Sequence, residues 1–242
     1  MANVFDYVKW RGDLTLAQDK FNEIDNLILS RFAYFPFDNI INNDEIVSIY
    51  ELGRRFINRD LNTMNILWKD DIDFFPLIAN SKRFGSMLTT KYVNKIENES
   101  EKQFSAITIL MPDDTIYVSF RGTDDTLIGW KEDFNMSFKS HVASQIDSVK
   151  YLEDVAEHFK GNIRVGGHSK GGNLAIYSSL FVAPYIKSRI INIYNNDGPG
   201  FSYDITSTSN YKNILNKVHS FIPESSIIGR LLNHEEQHTI IK

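Results

Sequence analysis

The segment Ile163-Arg164-Val165-Gly166-Gly167-His168-Ser169-Lys170-Gly171-Gly172-Asn173-Leu174-Ala175 runs from a short β-rich stretch into an apolar helical one. Its junction, Gly167-His168-Ser169-Lys170-Gly171, is a Gly-x-Ser-x-Gly pattern in the strand–turn–helix setting that a nucleophile elbow requires. So sharp a turn strains the serine backbone. Glycine is needed on either side because a Cβ there would strike the neighbouring strand and helix. The product is a hydroxyl raised above a sheet edge, at a helix N-terminus whose N–H groups can stabilise an oxyanion. The bland alternative is a glycine-rich turn around an inert serine. The pattern alone is common, and the flanking strand and helix are what favour the elbow. Ser169 is therefore the candidate nucleophile, with Gly167 and Gly171 as the elbow glycines.

Outward from this turn, strands and helices alternate. Residues 104–111 and 115–120 are apolar and β-rich, and Pro112-Asp113-Asp114 between them is a turn signal, so the pair reads as a hairpin. An amphipathic helix follows over 143–159, then a strand over 162–166, a helix over 171–181 and a strand over 189–194. A short helix over 212–215 and a strand over 218–222 complete the series. Short connections in such a series imply parallel βαβ units and a sheet covered on both faces. The first hundred residues read mainly as helix, over 20–35, 43–58 and 75–94, from apolar spacing such as Phe21, Ile24, Leu27, Ile28 and Phe32. The polar run 98–102 reads as a loop, and no linker divides the chain. The expectation is one α/β domain over residues 1–242. A mostly parallel sheet flanked by helices fills 101–242, and a helical part, 1–100, packs on it or caps it.

Composition narrows the function classes. Of 242 residues, 42% are hydrophobic and 24% charged, which is the ordinary globular range. A domain of this length buries roughly three quarters of the surface its unfolded chain exposes, enough for a large core. A net charge of −5 argues against a nucleic-acid partner. The absence of cysteine excludes disulfides, thiolate zinc sites and cysteine nucleophiles, and fits a reducing compartment. No basic and apolar leader opens the chain, and no apolar run reaches the ~18 residues that cross a bilayer. The expected location is cytoplasmic, without a transmembrane segment.

A second motif raises the odds for the elbow. Val118-Ser119-Phe120-Arg121-Gly122-Thr123-Asp124 ends a strand, and Trp130 and Asp133 follow it. Phe-Arg-Gly-Thr, a Trp-x-x-Asp and a downstream Gly-His-Ser-x-Gly elbow together resemble the class 3 (fungal-type) lipases of the α/β-hydrolase superfamily. The resemblance implies an α/β-hydrolase fold. It also implies an oxyanion hole made by Thr123, the residue after Phe-Arg-Gly, with the N–H of Lys170, while Arg121 has a structural role. A closer resemblance covers nearly the whole chain. Residues 7–13 and 21–25, Gln103-Phe104-Ser105-Ala106, Gly129-Trp130-Lys131-Glu132-Asp133 and Asn196-Asp197-Gly198-Pro199-Gly200 are similar to an uncharacterised bacterial family of class 3 lipase-like proteins. That likeness implies the architecture rather than a substrate.

The rest of a triad would follow the chain order serine, acid, histidine. Asp197 lies just after the strand 189–194, at the carboxyl edge where such sites gather. Its Asp-Gly-Pro-Gly turn would also exist for conformational reasons alone. Glu224 follows the next strand, near the place where class 3 lipases carry their acid, and is the alternative. His141 and His158 precede the serine, His168 sits inside the elbow with the wrong geometry to deprotonate its neighbour, and His219 falls in a strand. His234 and His238 remain, and His234 is taken as the triad histidine. The resemblance equally allows a base from downstream of Lys242. His234-Glu235-Glu236-Gln237-His238 also matches the His-Glu-x-x-His helix of zinc peptidases, in which two histidines one turn apart bind the metal. Against it, no third ligand follows and the next residues are β-like.

Three functions are in view. The first is a serine esterase or lipase-like hydrolase cleaving a carboxylic ester or thioester of a small-molecule substrate through an acyl-enzyme on Ser169, with no metal or organic cofactor. The second is a hydrolase-fold protein that lacks an effective histidine and binds a ligand or partner without catalysis. The third is a zinc peptidase acting through His234 and His238. Residues 68–75 are placed as the edge of a lid.

Overall fold

The computed structural model describes residues 2–60, 64–97, 102–123 and 141–242. Eight strands form one sheet in chain order: β1 (Val47–Ser48), β2 (Leu88–Glu97), β3 (Lys102–Leu110), β4 (Ile116–Phe120), β5 (Ile163–His168), β6 (Ile190–Asn196), β7 (Val218–Pro223) and β8 (His238–Ile241). Among the described residues the helices are α1 (Val4–Arg11), α2 (Glu23–Ser30), α3 (Ile49–Ile57), α4 (Asp71–Ala79), α5 (Ala143–His158), α6 (Lys170–Phe181), α7 (Pro184–Lys187), α8 (Tyr203–Thr206) and α9 (Ser209–Ile214). Strands β1 to β4 pair antiparallel, and β4 to β8 pair parallel.

This order dictates where the helices lie. Parallel strands joined in sequence by right-handed crossovers, with no reversal of direction, carry their connecting helices on one face. On that face Ile116, Val118, Phe120, Val165 and Ile193 of the sheet pack with Leu152 and Val155 of α5 and Leu174 and Leu180 of α6. The opposite face needs another cover, because every residue of β4 is buried. The first eighty residues supply it. Ile107, Ile109, Tyr117 and Tyr194 of the sheet pack there against Ile28, Leu29, Phe32 and Phe75.

Helix α2 starts on a capping box, in which the Asn22 side chain accepts from the Ile24 and Asp25 amides and Asp25 accepts from the Asn22 amide. Its inward face is polar at three positions, Asp25, Asn26 and Ser30, and all are paired. Asn26 donates to Asn196 at 2.9 Å and accepts from the Tyr117 hydroxyl at 2.7 Å. Asn196 in turn donates to Ser30 Oγ at 2.9 Å and to the Gly167 carbonyl at 3.0 Å. A buried network of this kind is costly unless it is satisfied, so it fixes how α2 sits on the sheet. It also ends on the elbow. Farther along, the buried Arg83 guanidinium pairs with Asp25 and donates to the carbonyls of Leu14, Asp19 and Lys20, which fastens the loop before α2.

The expected hairpin and the alternating strands and helices after it are present, within a residue or three at their ends. The expected helix over 75–94 is not one element. Helix α4 ends at Ala79, and the chain turns through Gly85 into β2, whose Thr89, Thr90, Tyr92 and Val93 suit a strand and which pairs with β3. The helix expected over 43–58 is shorter, because Val47 and Ser48 pair with β2 before Ser48 caps α3. Sheet formation therefore begins inside the part expected to be helical. That over 20–35 is α2 followed by a 3₁₀ turn, Phe32–Tyr34. Asp124, Trp130 and Asp133 lie outside the described residues, as does all of the run 98–102 but Lys102. No helix of the described residues is long and apolar enough to cross a membrane.

Candidate active site

Ser169 stands between β5 and α6 with φ 55° and ψ −131°, a left-handed conformation that a residue with a Cβ adopts only under constraint. The constraint is visible on both sides. A Cβ on Gly167 would lie 2.4 Å from the backbone of Gly171, and one on Gly171 would lie 2.2 Å from the Phe120 carbonyl oxygen. The turn closes only with glycine at both places. A serine before a helix ordinarily spends its hydroxyl on the N2 or N3 amide. Ser169 makes no such side-chain cap, and the helix is instead entered through its own carbonyl, which accepts from Gly172 N–H at 2.8 Å.

Two loops meet this turn. The segment after β4 presses against it, since a Cβ on Gly122 would come within 3.1 Å of the Ser169 Cβ. Thr123 is the next residue, so the segment expected to bind an oxyanion does border the serine. Lys170 supplies the first N–H of α6, while its buried side chain turns away and donates to the Gln103 carbonyl at 3.0 Å. The second loop is the turn after β6. Ser169 N–H donates to the Asn196 carbonyl at 2.9 Å, which brings the following residue, Asp197, beside the elbow. Asn173 of α6 clamps the same turn by donating to the carbonyls of Pro199 and Gly200.

Asp197 also has a positive φ, 59°. Its amide donates to the Phe221 carbonyl, and its carboxylate accepts from Gly229 N–H at 3.2 Å. Glu224 lies on the surface beyond β7, its amide bonded to the Ile241 carbonyl. Of the two acids, Asp197 is the one next in the chain to a residue, Asn196, that bonds the elbow, while its own carboxylate faces Gly229.

Sequence reading missed Tyr34. Its hydroxyl accepts from Gly122 N–H at 3.0 Å and faces both the carbonyl and Nδ1 of His168 at 3.1 Å. No motif marks it, because it comes from the 3₁₀ turn of the covering layer. Burial lowers the His168 pKa, the Asp197 charge acts to raise it, and Arg31 lowers it further. Tyr34, His168, Leu27, Ile28, Trp68 and Phe74 line a mainly apolar cavity of about 210 Å³. Arg31 forms part of its wall, stacked 4.0 Å over the Trp68 ring and bonded twice to Asp71.

His234 makes its hydrogen bonds to groups other than the serine. Among the described residues no histidine hydrogen-bonds the Ser169 hydroxyl. His234 turns Nε2 to the Leu231 carbonyl at 3.1 Å and Nδ1 to Glu236 at 2.9 Å. The stretch 234–238 is not helical, and Glu235 points to solvent, so the geometry of the zinc-peptidase helix is not formed. His234 and His238 nevertheless meet, with ring centroids 4.8 Å apart, because the chain between them bends.

A mostly parallel sheet flanked by helices, with a strained serine at the β5–α6 turn, is an α/β-hydrolase fold. Residues 78–242 match the Mbeg1-like family model, and the chain belongs to that family. Two solved structures are similar in part. One is a fungal lipase–inhibitor complex, at 17% identity and a TM-score of 0.43, covering 58% of this chain and 58% of that one. The other is the native propeptide complex of Rhizomucor miehei lipase, at 17% identity and a TM-score of 0.45, covering 62% and 56%. The chain thus spans less than three fifths of either lipase. No curated protein matches it.

Proposed function

We propose that this protein is a serine hydrolase that cleaves a carboxylic ester or thioester through an acyl-enzyme on Ser169. The observation that carries this reading is the serine itself. It is held at positive φ by two close glycine contacts, makes no helix cap, and lies against the Gly122–Thr123 segment. In the proposed reaction a histidine base takes the Ser169 Oγ proton as Oγ attacks the carbonyl carbon, and Thr123 with the Lys170 N–H binds the developing oxyanion. Its collapse breaks the ester C–O or thioester C–S bond, the alcohol or thiol leaves with that proton, and water then cleaves the acyl-enzyme in the same way. Asp197 is the acid, with Glu224 as the alternative. The cavity beside Tyr34 and His168 would take the acyl group. Its size, below the roughly 300 Å³ at which drug-sized pockets begin, favours a short chain.

The second reading, a hydrolase fold that binds without turnover, draws on the histidines. Both ring nitrogens of His234 have partners other than the serine. To act as the base it would have to leave Glu236. Labelling of the purified chain with a fluorophosphonate, read by mass spectrometry against Ser169→Ala, separates the two. A stoichiometric adduct on Ser169 supports the hydrolase, and no adduct supports the binding protein.

A further inference from the structure

We propose that His234, Glu236 and His238 form a binding site for a zinc-class divalent cation. Each offers one ligand atom, and the three atoms lie within 4.8 Å of one another. The set differs from the sequence motif. Glu236 joins the histidines in place of Glu235, and the ligands come from an extended stretch and the start of β8.

Three features build the site. First, the outward nitrogens are already held. His234 Nε2 faces the Leu231 carbonyl at 3.1 Å and His238 Nδ1 faces Ser220 Oγ at 3.1 Å. Metal-bound histidines are oriented by such outer contacts, which here leave Nδ1 of His234 and Nε2 of His238 for the ion. Second, Glu236 is buried and aimed. One carboxylate oxygen accepts from the Tyr211 hydroxyl at 2.6 Å and the Glu235 amide at 3.2 Å, and the other faces His234 Nδ1 at 2.9 Å. Third, the spacing is close to what the ion needs. Two ligands on a tetrahedral zinc ion are about 3.3 Å apart. His238, on an exposed edge strand, would have to swing inward by at most about 1.5 Å from the widest observed spacing.

The fourth position opens on a cleft of about 680 Å³ that Tyr203, Gly229, Arg230 and Ile240 also line, so water can complete the shell. A bound ion would tie β8 to the segment before it and, through Glu236 and Tyr211, to α9. The soft-to-borderline imidazole pair selects zinc over calcium or magnesium, which prefer all-oxygen shells.

The test is calorimetric titration of the metal-free full chain with zinc chloride, and with calcium chloride as control. His238→Ala is the main variant, since its side chain is partly in water and the fold does not rest on it. One zinc per chain, weakened at least tenfold by His238→Ala and not matched by calcium, is the expected result. No binding to the wild type at 100 µM zinc overturns the proposal, and so does a loss of less than tenfold in the variant or equal binding of calcium. Thermal melting of Glu236→Gln with and without zinc gives a second readout. A zinc-induced rise in Tm in the wild type that vanishes in this variant supports the site, and a rise that persists overturns it.

Discussion

Tyr34 and Gly122, 88 positions apart, meet at 3.0 Å, the phenol oxygen accepting the glycine amide. The same oxygen reaches His168, so one hydroxyl from the covering layer spans the two segments that flank Ser169. Tyr34→Phe removes it and leaves the Gly122 N–H and the His168 carbonyl without that partner. We expect a stability loss of about 1–2 kcal/mol by urea unfolding. Ester kcat/KM should fall by roughly 10- to 100-fold, because the oxyanion segment would shift against the nucleophile. Wild-type kinetics in Tyr34→Phe would show that the contact positions nothing.

The strain at Ser169 predicts a trade of stability against activity. Ser169→Gly removes the Cβ from a positive-φ position and should raise unfolding stability by about 1 kcal/mol. Ser169→Ala keeps the Cβ and should not. Both lose fluorophosphonate labelling. If the glycine variant proves less stable than the alanine one, the serine backbone is not strained.

The choice of acid is open to a direct comparison. Asp197→Asn should slow labelling of Ser169 by about 10³- to 10⁴-fold, the scale on which a misoriented histidine acts. Glu224→Gln, on the surface, should stay within about twofold of wild type. The opposite pattern would transfer the role to Glu224.

A pH effect follows from His168. Its pKa lies below the ordinary 6.5, chiefly through burial, with Asp197 opposing and Arg31 reinforcing the shift. The folded state thus binds this proton less readily than the unfolded chain does. The His168 side chain is exposed, so solvent screens the effect, and only a small contribution, full above pH 6.5, is lost as pH falls through the lowered value. Urea unfolding at pH 8, 6.5 and 5 should show the stability difference between wild type and His168→Gln shrinking towards acid. A difference that is constant or grows would refute the lowered pKa.

Local chemistry made the centre of the protein legible and its covering layer much less so. The elbow, the hairpin and the alternating series from Ile116 to Pro223 were readable because each rests on short-range rules: glycine at a turn, β-branched runs, helical spacing. The apolar residues of β2 fit a helical as well as a strand period, so only its pairing with β3 decides that the segment is a strand. The pair His234 and His238 was recognised, but a bend in the chain replaced the expected helical turn and exchanged Glu235 for Glu236.

Residue order alone therefore established a serine turn at 167–171 and the sequence of strands and helices around it, since those depend on neighbours along the chain. The partners of that turn came from packing. Tyr34, and Asn26 through Asn196, reach it from segments far away in the chain, and a hydrogen bond across 88 or 170 positions leaves no periodic trace in the sequence. Only the sheet, with one face covered by its own crossovers and the other by the N-terminal helices, brings these groups within 3 Å or so of their partners.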